Sequence, residues 1–335
     1  MQGNKFDWLK SCPEGLYCQP ADCFIDPARA VPRALITHGH ADHARPGHEK
    51  VLATKETLKI MKVRYPSDLA QHQQLNFGEK IRIGEVTVWL APAGHILGSA
   101  QVVMEYQGQR AVVSGDYKRQ ADPTAIPFEP ITCDLFVTEA TFALPVFRHP
   151  KPESQLEKLL SSLQAFPERP HLLGVYGLGK CQRILLLLRD LGFDAPIYLH
   201  GALVGLTELY RSMGFDFGNL LPVQGVAKSD LSSALVLAPP SATIDRWSRR
   251  FTDPRIGIAS GWMQVRGRAR QRRAEIPLII SDHADWDDLL RTCNETQAET
   301  VWITHGREDA LAYELGKRGQ KAIPLRLSGR QEESE

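Results

Sequence analysis

Six short apolar runs in this chain each end on a histidine or an acid, and this recurrence constrains the fold more than any other feature. Ala34-Leu35-Ile36-Thr37 runs into His38, and residues 86–93 run through Gly94 into His95. Ala111-Val112-Val113-Ser114-Gly115 ends at Asp116, and Leu135-Phe136-Val137-Thr138 ends at Glu139. Residues 276–281 lead to Asp282-His283, and Val301-Trp302-Ile303-Thr304 leads to His305. Runs of about four to eight residues rich in β-branched types read as buried strands. Strands that each deliver a polar residue at their C-terminal ends predict one shared site along a sheet edge. Helical periodicity falls between the runs, at 155–166 and 179–191. A capping-box-like start opens 285–293. Acids in the first turn and Lys317-Arg318 in the last bound a further helix at 308–318. Strands alternating with helices make the chain α/β.

The densest chemistry is His38-Gly39-His40-Ala41-Asp42-His43. Four potential ligands lie within six residues, just past a strand, and can point into one small volume. Imidazole and carboxylate suit zinc, manganese or iron. Alternate residues of an extended turn put His38 and His40 on one side, while Asp42 and His43 bend toward a second position. The motif therefore suggests two metals. His95 and Asp116 gain weight because a dimetal centre needs another nitrogen and a bridging carboxylate. His48, His72, His149, His171 and His200 match no motif and are expected in packing or at the surface.

With 335 residues the chain suggests roughly two domains. A 43% hydrophobic and 24% charged composition excludes disordered and fibrous classes. No apolar run approaches the about 18 residues that cross a bilayer. No apolar segment follows Lys5 to make a signal peptide, and the six cysteines include no CxxC pair. These features lead us to expect a cytoplasmic protein with reduced thiols and no membrane partner. Residues 328–335 read as a frayed polar tail. The candidate site residues lie in 26–139 and 283–305. We therefore expect one discontinuous domain of 1–150 and 274–335, with a second domain, 151–273, inserted into it.

The net charge of +1 hides an asymmetry. Nine arginines between Arg246 and Arg273 face a single acid, Asp253, so this stretch carries +8 and the remainder −7. Trp247, Phe251 and Trp262 are interleaved with them. Guanidinium binds phosphate bidentately and aromatic rings offer stacking faces, so the stretch suits a nucleic-acid strand. Arg266, Arg268, Arg270, Arg272 and Arg273 are its candidate contacts. Upstream, residues 174–181 spell GxxxxGK followed by Cys181. A nucleotide-binding loop needs Ser or Thr there for magnesium, so ATP is not expected. Backbone N–H groups of the glycine turn and Lys180 are candidates to grip a DNA phosphate, and a turn needed only for packing is the equal alternative.

Asp26, the HxHxDH run, His95, Asp116, Glu139, His283 and His305 resemble, in order and context, the motifs of the metallo-β-lactamase fold in its β-CASP branch of nucleases. Residues 13–17, Ile25-Asp26-Pro27, residues 37–47 and residues 281–286 resemble the bacterial ligase-associated DNA exonucleases. The resemblance implies an αββα sandwich with an inserted α/β β-CASP domain. It also implies that His38, His40 and His95 hold one metal, that Asp42, His43 and His305 hold the other, and that Asp116 bridges them. Asp26 would orient the ligand loop, and His283 would be the general acid, held by Glu139. The implied reaction is phosphodiester hydrolysis by hydroxide activated between two divalent ions, on DNA ends, in repair. A functional association with a DNA ligase follows from the family. An RNA nuclease of the same branch and a small-molecule metallo-hydrolase are the alternatives. Arg45 stands where the wider hydrolase family has a glycine, which argues against a lactamase or thioesterase.

Overall fold

The computed structural model of the protein describes residues 5–325, so the polar tail read at 328–335 lies outside the described residues. The helices are α1 (Lys55–Arg64), α2 (Pro152–Ala165), α3 (Lys180–Asp190), α4 (Gly201–Ser212), α5 (Arg266–Gln271), α6 (Trp286–Glu295) and α7 (Glu308–Lys317). Together with three sheets they make a mixed α/β chain. No described helix is long and apolar enough to cross a membrane. The described residues divide into two compact units, one made of 5–148 and 283–325, the other of His149–Asp282.

The first unit contains two sheets. One runs Leu9–Cys12, Gly15–Cys18, Cys23–Ile25, Arg33–Leu35, Lys50–Ala53, Gln71–Gln74. The other runs Lys321–Pro324, Thr300–Gly306, Leu135–Ala140, Gln109–Val113, Ala100–Tyr106, Val86–Pro92, Ile81–Ile83. Side chains alternate between the faces of a strand, and this assigns residues to cores. Val86, Val88, Leu90, Val102, Met104, Ala111, Val113, Leu135 and Val137 share one core with Leu16, Cys18, Ile25, Leu35 and Leu52 of the other sheet. Their neighbours Trp89, Ala91, Val103, Val112 and Phe136 turn the opposite way, onto Trp286, Leu289 and Leu290 of α6 and Leu311 and Leu315 of α7. On the far side, Ala34, Val51 and Ala53 pack against Leu58 and Met61 of α1. Each fully buried aliphatic side chain contributes on the order of 1.5–3 kcal/mol.

The second unit holds a six-stranded sheet in the order Leu220–Pro222, Ile197–Leu199, Leu235–Ala238, His171–Gly174, Arg255–Ala259, Ile276–Leu278. Every neighbour pair in it is parallel. Ile276–Leu278 pairs with Arg255–Ala259, so residues 274–282 fall in this unit and the boundary lies at 282/283, later than the expected 273/274.

That pairing also corrects the expectation of a single sheet edge. Strands Val86–Pro92, Gln109–Val113, Leu135–Ala140 and Thr300–Gly306 do end at one edge of the second sheet, because Ala100–Tyr106 is antiparallel to both Val86–Pro92 and Gln109–Val113, while Leu135–Ala140 is parallel to Gln109–Val113 and to Thr300–Gly306. The run before His38 belongs to the first sheet, and the run before His283 belongs to the third. A short apolar run specifies a strand without saying which sheet it joins.

Candidate metal centre

The turn after Arg33–Leu35 carries His38, His40, Asp42 and His43. Gly39 is required there, since a β-carbon would stand 2.6 Å from Cγ2 of Ile60 on α1. Arg64 of the same helix donates to the Gly39 carbonyl at 3.2 Å. The turn thus rests on a helix, and its side chains face the edge of the second sheet.

Three groups of potential ligand atoms form, each with its atoms within 4.8 Å of one another. His38, His40, His95 and Asp116 make the first, Asp42, His43 and His305 the second, and Asp116, Glu139 and His283 the third. His38 Nε2 lies 3.4 Å from Asp116 Oδ2, His43 Nε2 lies 3.3 Å from the same oxygen, and His95 Nε2 lies 3.9 Å from it. His43 Nε2 is 3.4 Å from Asp42 Oδ2, and His95 Nε2 is 3.0 Å from His40 Nδ1. Donors bonded tetrahedrally to one ion at about 2.0–2.1 Å would stand roughly 3.3 Å apart. His38 Nε2, His43 Nε2 and Asp42 Oδ2 are buried with no hydrogen-bond partner among the described residues. Buried polar atoms left in that state are costly. The donor set therefore fits divalent cations.

The partners behind the ligands assign the tautomers. The Asp26 carboxylate accepts from the Thr37 amide at 2.7 Å and from Thr37 Oγ1 at 2.6 Å, and faces His43 Nδ1 at 2.8 Å. Its only available role toward the ring is acceptor, so His43 keeps its proton on Nδ1 and presents a lone pair at Nε2. Thr37 Oγ1 spends its proton on Asp26, so it accepts from His38 Nδ1, 3.0 Å away. His38 Nε2 is thereby also a lone pair. Sequence reading singled out Asp26 but missed Thr37, since a threonine at the end of a strand is ordinary.

Electrostatics within the metal-free cluster follow from burial and neighbours. Burial pushes His38 well below the ordinary imidazole range, and charged His43 beside it adds to the effect. At His43 burial acts the same way, but the carboxylates of Asp116, Asp42 and Asp26 outweigh it and raise the ring well above that range. Burial disfavours the Asp116 carboxylate, yet His43 holds it well below the usual carboxylate range.

On the other flank, Glu139 is 1% exposed. Its carboxylate accepts from the Tyr117 amide at 2.8 Å and Thr141 Oγ1 at 2.6 Å, and its Oε2 stands 2.8 Å from His283 Nδ1. The His283 ring centroid lies 4.7 Å from that of His95. A register shift between Thr138 and Ala140, opposite Ile303 and Gly306, leaves Glu139 facing Thr304 and His305. This bulge aims both Glu139 and His305. Every metal or catalytic candidate read from the sequence thus falls in one cluster.

The nucleic-acid candidates fare unevenly. Arg266, Arg270 and Arg273 are exposed. Arg268 lies over the Trp262 ring at 3.9 Å and Arg250 over Trp247 at 5.0 Å, while Arg272 is half-buried. Trp262 and Phe251 are buried, and Trp247 also meets His200 and Phe251, so these aromatics pack inward and do not offer the open stacking faces expected of them. Lys180 is 5% exposed, with its ammonium 3.8 Å from Asp282 and 4.7 Å from the centre of the Tyr176 ring. A cation already beside a carboxylate is a poorer phosphate grip than the sequence suggested.

No family model matches the chain. It is 29% identical over 94% of its length to a "Probable DNA ligase" of Opitutus terrae, matching 31% of that protein. It is 26% identical over 55% of its length to an "RNase J-like protein" of Methanocaldococcus jannaschii, matching 51% of it. "Ribonuclease TTHA0252" of Thermus thermophilus is 29% identical, with 90% of this chain and 88% of that one covered. The chain thus spans between about a third and about half the length of the first two. Among solved structures, a protein of unknown function from Enterococcus faecalis V583 superposes with a TM-score of 0.59 at 14% identity, covering 90% of this chain and 80% of that one, a likeness of fold alone. The gathered histidine and acid motifs and these relatives together support the resemblance of the chain to the β-CASP nucleases of the metallo-β-lactamase fold.

Proposed function

We propose that the chain is a two-metal phosphodiesterase, a DNA exonuclease acting in repair. The observation that carries this reading is the convergence of seven nitrogen and carboxylate donors into two adjoining groups, with the Glu139–His283 pair sharing Asp116 with them. In this reading His38, His40 and His95 would hold one cation, Asp42, His43 and His305 would hold the other, and Asp116 would serve both. Zinc or manganese suits the donors, and iron is compatible. Divalent cations held there would supply the charge that acidifies a water molecule near neutral pH and neutralises a phosphate oxygen.

The remaining work belongs to the chain's own groups. Glu139 holds His283 through Nδ1, leaving Nε2 to protonate the departing oxygen. Asp26 and Thr37 keep the ligand rings in the tautomers that expose a lone pair. Arg266, Arg270 and Arg273 bind backbone phosphates. The stacked cores and flanking helices of the first unit support an αββα sandwich, and residues 149–282 support a β-CASP insert. We place the protein in the cytoplasm, in functional association with a DNA ligase.

DNA is favoured because nearly the whole chain matches a segment of the longer protein named a probable DNA ligase. RNA is the second reading, favoured by the near full-length match to Ribonuclease TTHA0252. End-labelled single- and double-stranded DNA and matched RNA, each digested with Zn²⁺ and with Mn²⁺, separate them. DNA should shorten from its ends, Asp116→Ala should abolish this, and His283→Ala should slow it about 10²–10⁴-fold with metals still bound. Cleavage of RNA alone would replace this reading with the second. Full activity of His283→Ala would remove the proton-donor role.

A further inference from the structure

We propose that Lys118 and Asp122 are a positioning pair that sets the placement of His95 relative to Asp116, and so governs the His38, His40, His95 and Asp116 group selectively. Neither residue belongs to any ligand group. Lys118 is 1% exposed. Its Nζ pairs with the Asp122 carboxylate and donates to the His95 carbonyl at 3.0 Å. The Asp122 carboxylate in turn accepts from the Thr124 amide and Oγ1, both at 2.7 Å.

Three successive residues of the His95 loop meet Lys118. Its amide donates to the Ala93 carbonyl at 3.2 Å, and its ammonium holds the carbonyl of His95. Gly94, at φ 74°, lets the two loops close in, because a β-carbon there would stand 2.4 Å from the Lys118 carbonyl oxygen. On the other side, Lys118 follows Asp116 by two residues, and the intervening Tyr117 amide is fixed by Glu139. Two ligands far apart in sequence are thus tied by one side chain to a common frame. A buried ion pair is a weak source of net stability, since desolvation offsets much of the attraction. A hydrocarbon could fill the same volume, but it could not hold the His95 carbonyl. His95 serves one group only, which is why the effect should be selective.

This inference rests on the metal-centre reading, and the experiment keeps the two separable. Zn²⁺ alone is titrated into the full-length protein against a chromophoric chelator, together with thermal unfolding of the metal-free forms. The variants are Lys118→Met and Lys118→Met/Asp122→Asn, with His95→Ala and His305→Ala to identify the two binding steps. The single variant strands a buried carboxylate and should lower the unfolding midpoint. The double variant removes both charges and should recover much of that loss. In both, the step abolished by His95→Ala should weaken about 10- to 100-fold, while the step abolished by His305→Ala should stay as in wild type. If Lys118→Met fails to fold, the double variant carries the measurement. Wild-type Zn²⁺ affinity at both steps in the double variant would overturn the proposal, leaving the pair as charge balance only. Wild-type protein that binds no Zn²⁺ would instead overturn the metal centre itself.

Discussion

Asp26 sits at φ 44°, in the left-handed region that aspartate enters more readily than most residues other than glycine. The conformation is held by the three hydrogen bonds of its carboxylate, which anchor Thr37 and His43 at once. His43 is the residue on which metal uptake should turn. Three carboxylates outweigh burial and raise its ring well above the ordinary imidazole range, which favours the protonated ring in the metal-free protein. In the metal-free fold this charge stabilises fully below the unfolded imidazole value, and the contribution is lost as pH rises through the raised one. A cation can use Nε2 only after that proton leaves. Zn²⁺ affinity should therefore rise with pH until the raised value is passed, with net proton release. Calorimetric titration in two buffers of different ionisation heat measures the release, and zero net release would contradict this account. HxHxDH was readable because its ligands are contiguous. Thr37, Lys118 and Asp122 were not, because each acts through a neighbour that only folding supplies.

At the scale of elements, the end of the strand Thr300–Gly306 controls the second ligand group. Gly306 adopts φ 126°, and a β-carbon there would stand 2.2 Å from the Ala140 carbonyl oxygen. Backbone against backbone cannot yield cheaply. Gly306→Ala should cost about 1–3 kcal/mol, read as a shift in the denaturant midpoint, and should lower Zn²⁺ capacity through displaced His305. An unchanged midpoint would mean the bulge relaxes more easily than its geometry implies. Helix α5 supports a second expectation. Arg266 and Arg270 share one face at i and i+4, and Arg273 follows, all exposed. Replacing all three with glutamine should weaken single-stranded DNA binding. It should also flatten the log–log salt dependence by roughly 0.7 per lost phosphate contact. Arg268→Gln should act more on stability, since its guanidinium covers Trp262. The helical periodicities at 155–166, 179–191, 285–293 and 308–318 all became helices, with ends moved by a few residues. α1, α4 and α5 were not foreseen. α5 is six residues long and half arginine, which gives periodicity nothing apolar to follow.

For the whole molecule, both ligand groups lie in the unit built from the two ends of the chain, while the arginine stretch lies in the other. Cation binding should therefore protect backbone amides in the first unit at 36–44, 93–96, 114–118 and 303–306. The sheet of 149–282 should keep its metal-free exchange rates. Hydrogen exchange with and without Zn²⁺ tests this, and equal protection of both units would show that the cations order more than their own loops.

Local order and local chemistry were thus set by the sequence itself. Short continuous apolar runs make strands whose alternate residues feed two cores, and adjacent histidines and an aspartate make a ligand turn, because both depend on neighbours in the chain. The tertiary structure alone decided which sheet each run joins, where the bulge at Glu139 aims its side chains, and which arginines and aromatics face inward. Those outcomes depend on contacts between residues far apart in sequence. The same short run satisfies its hydrogen bonds equally well at several sheet positions until packing of the whole chain chooses among them.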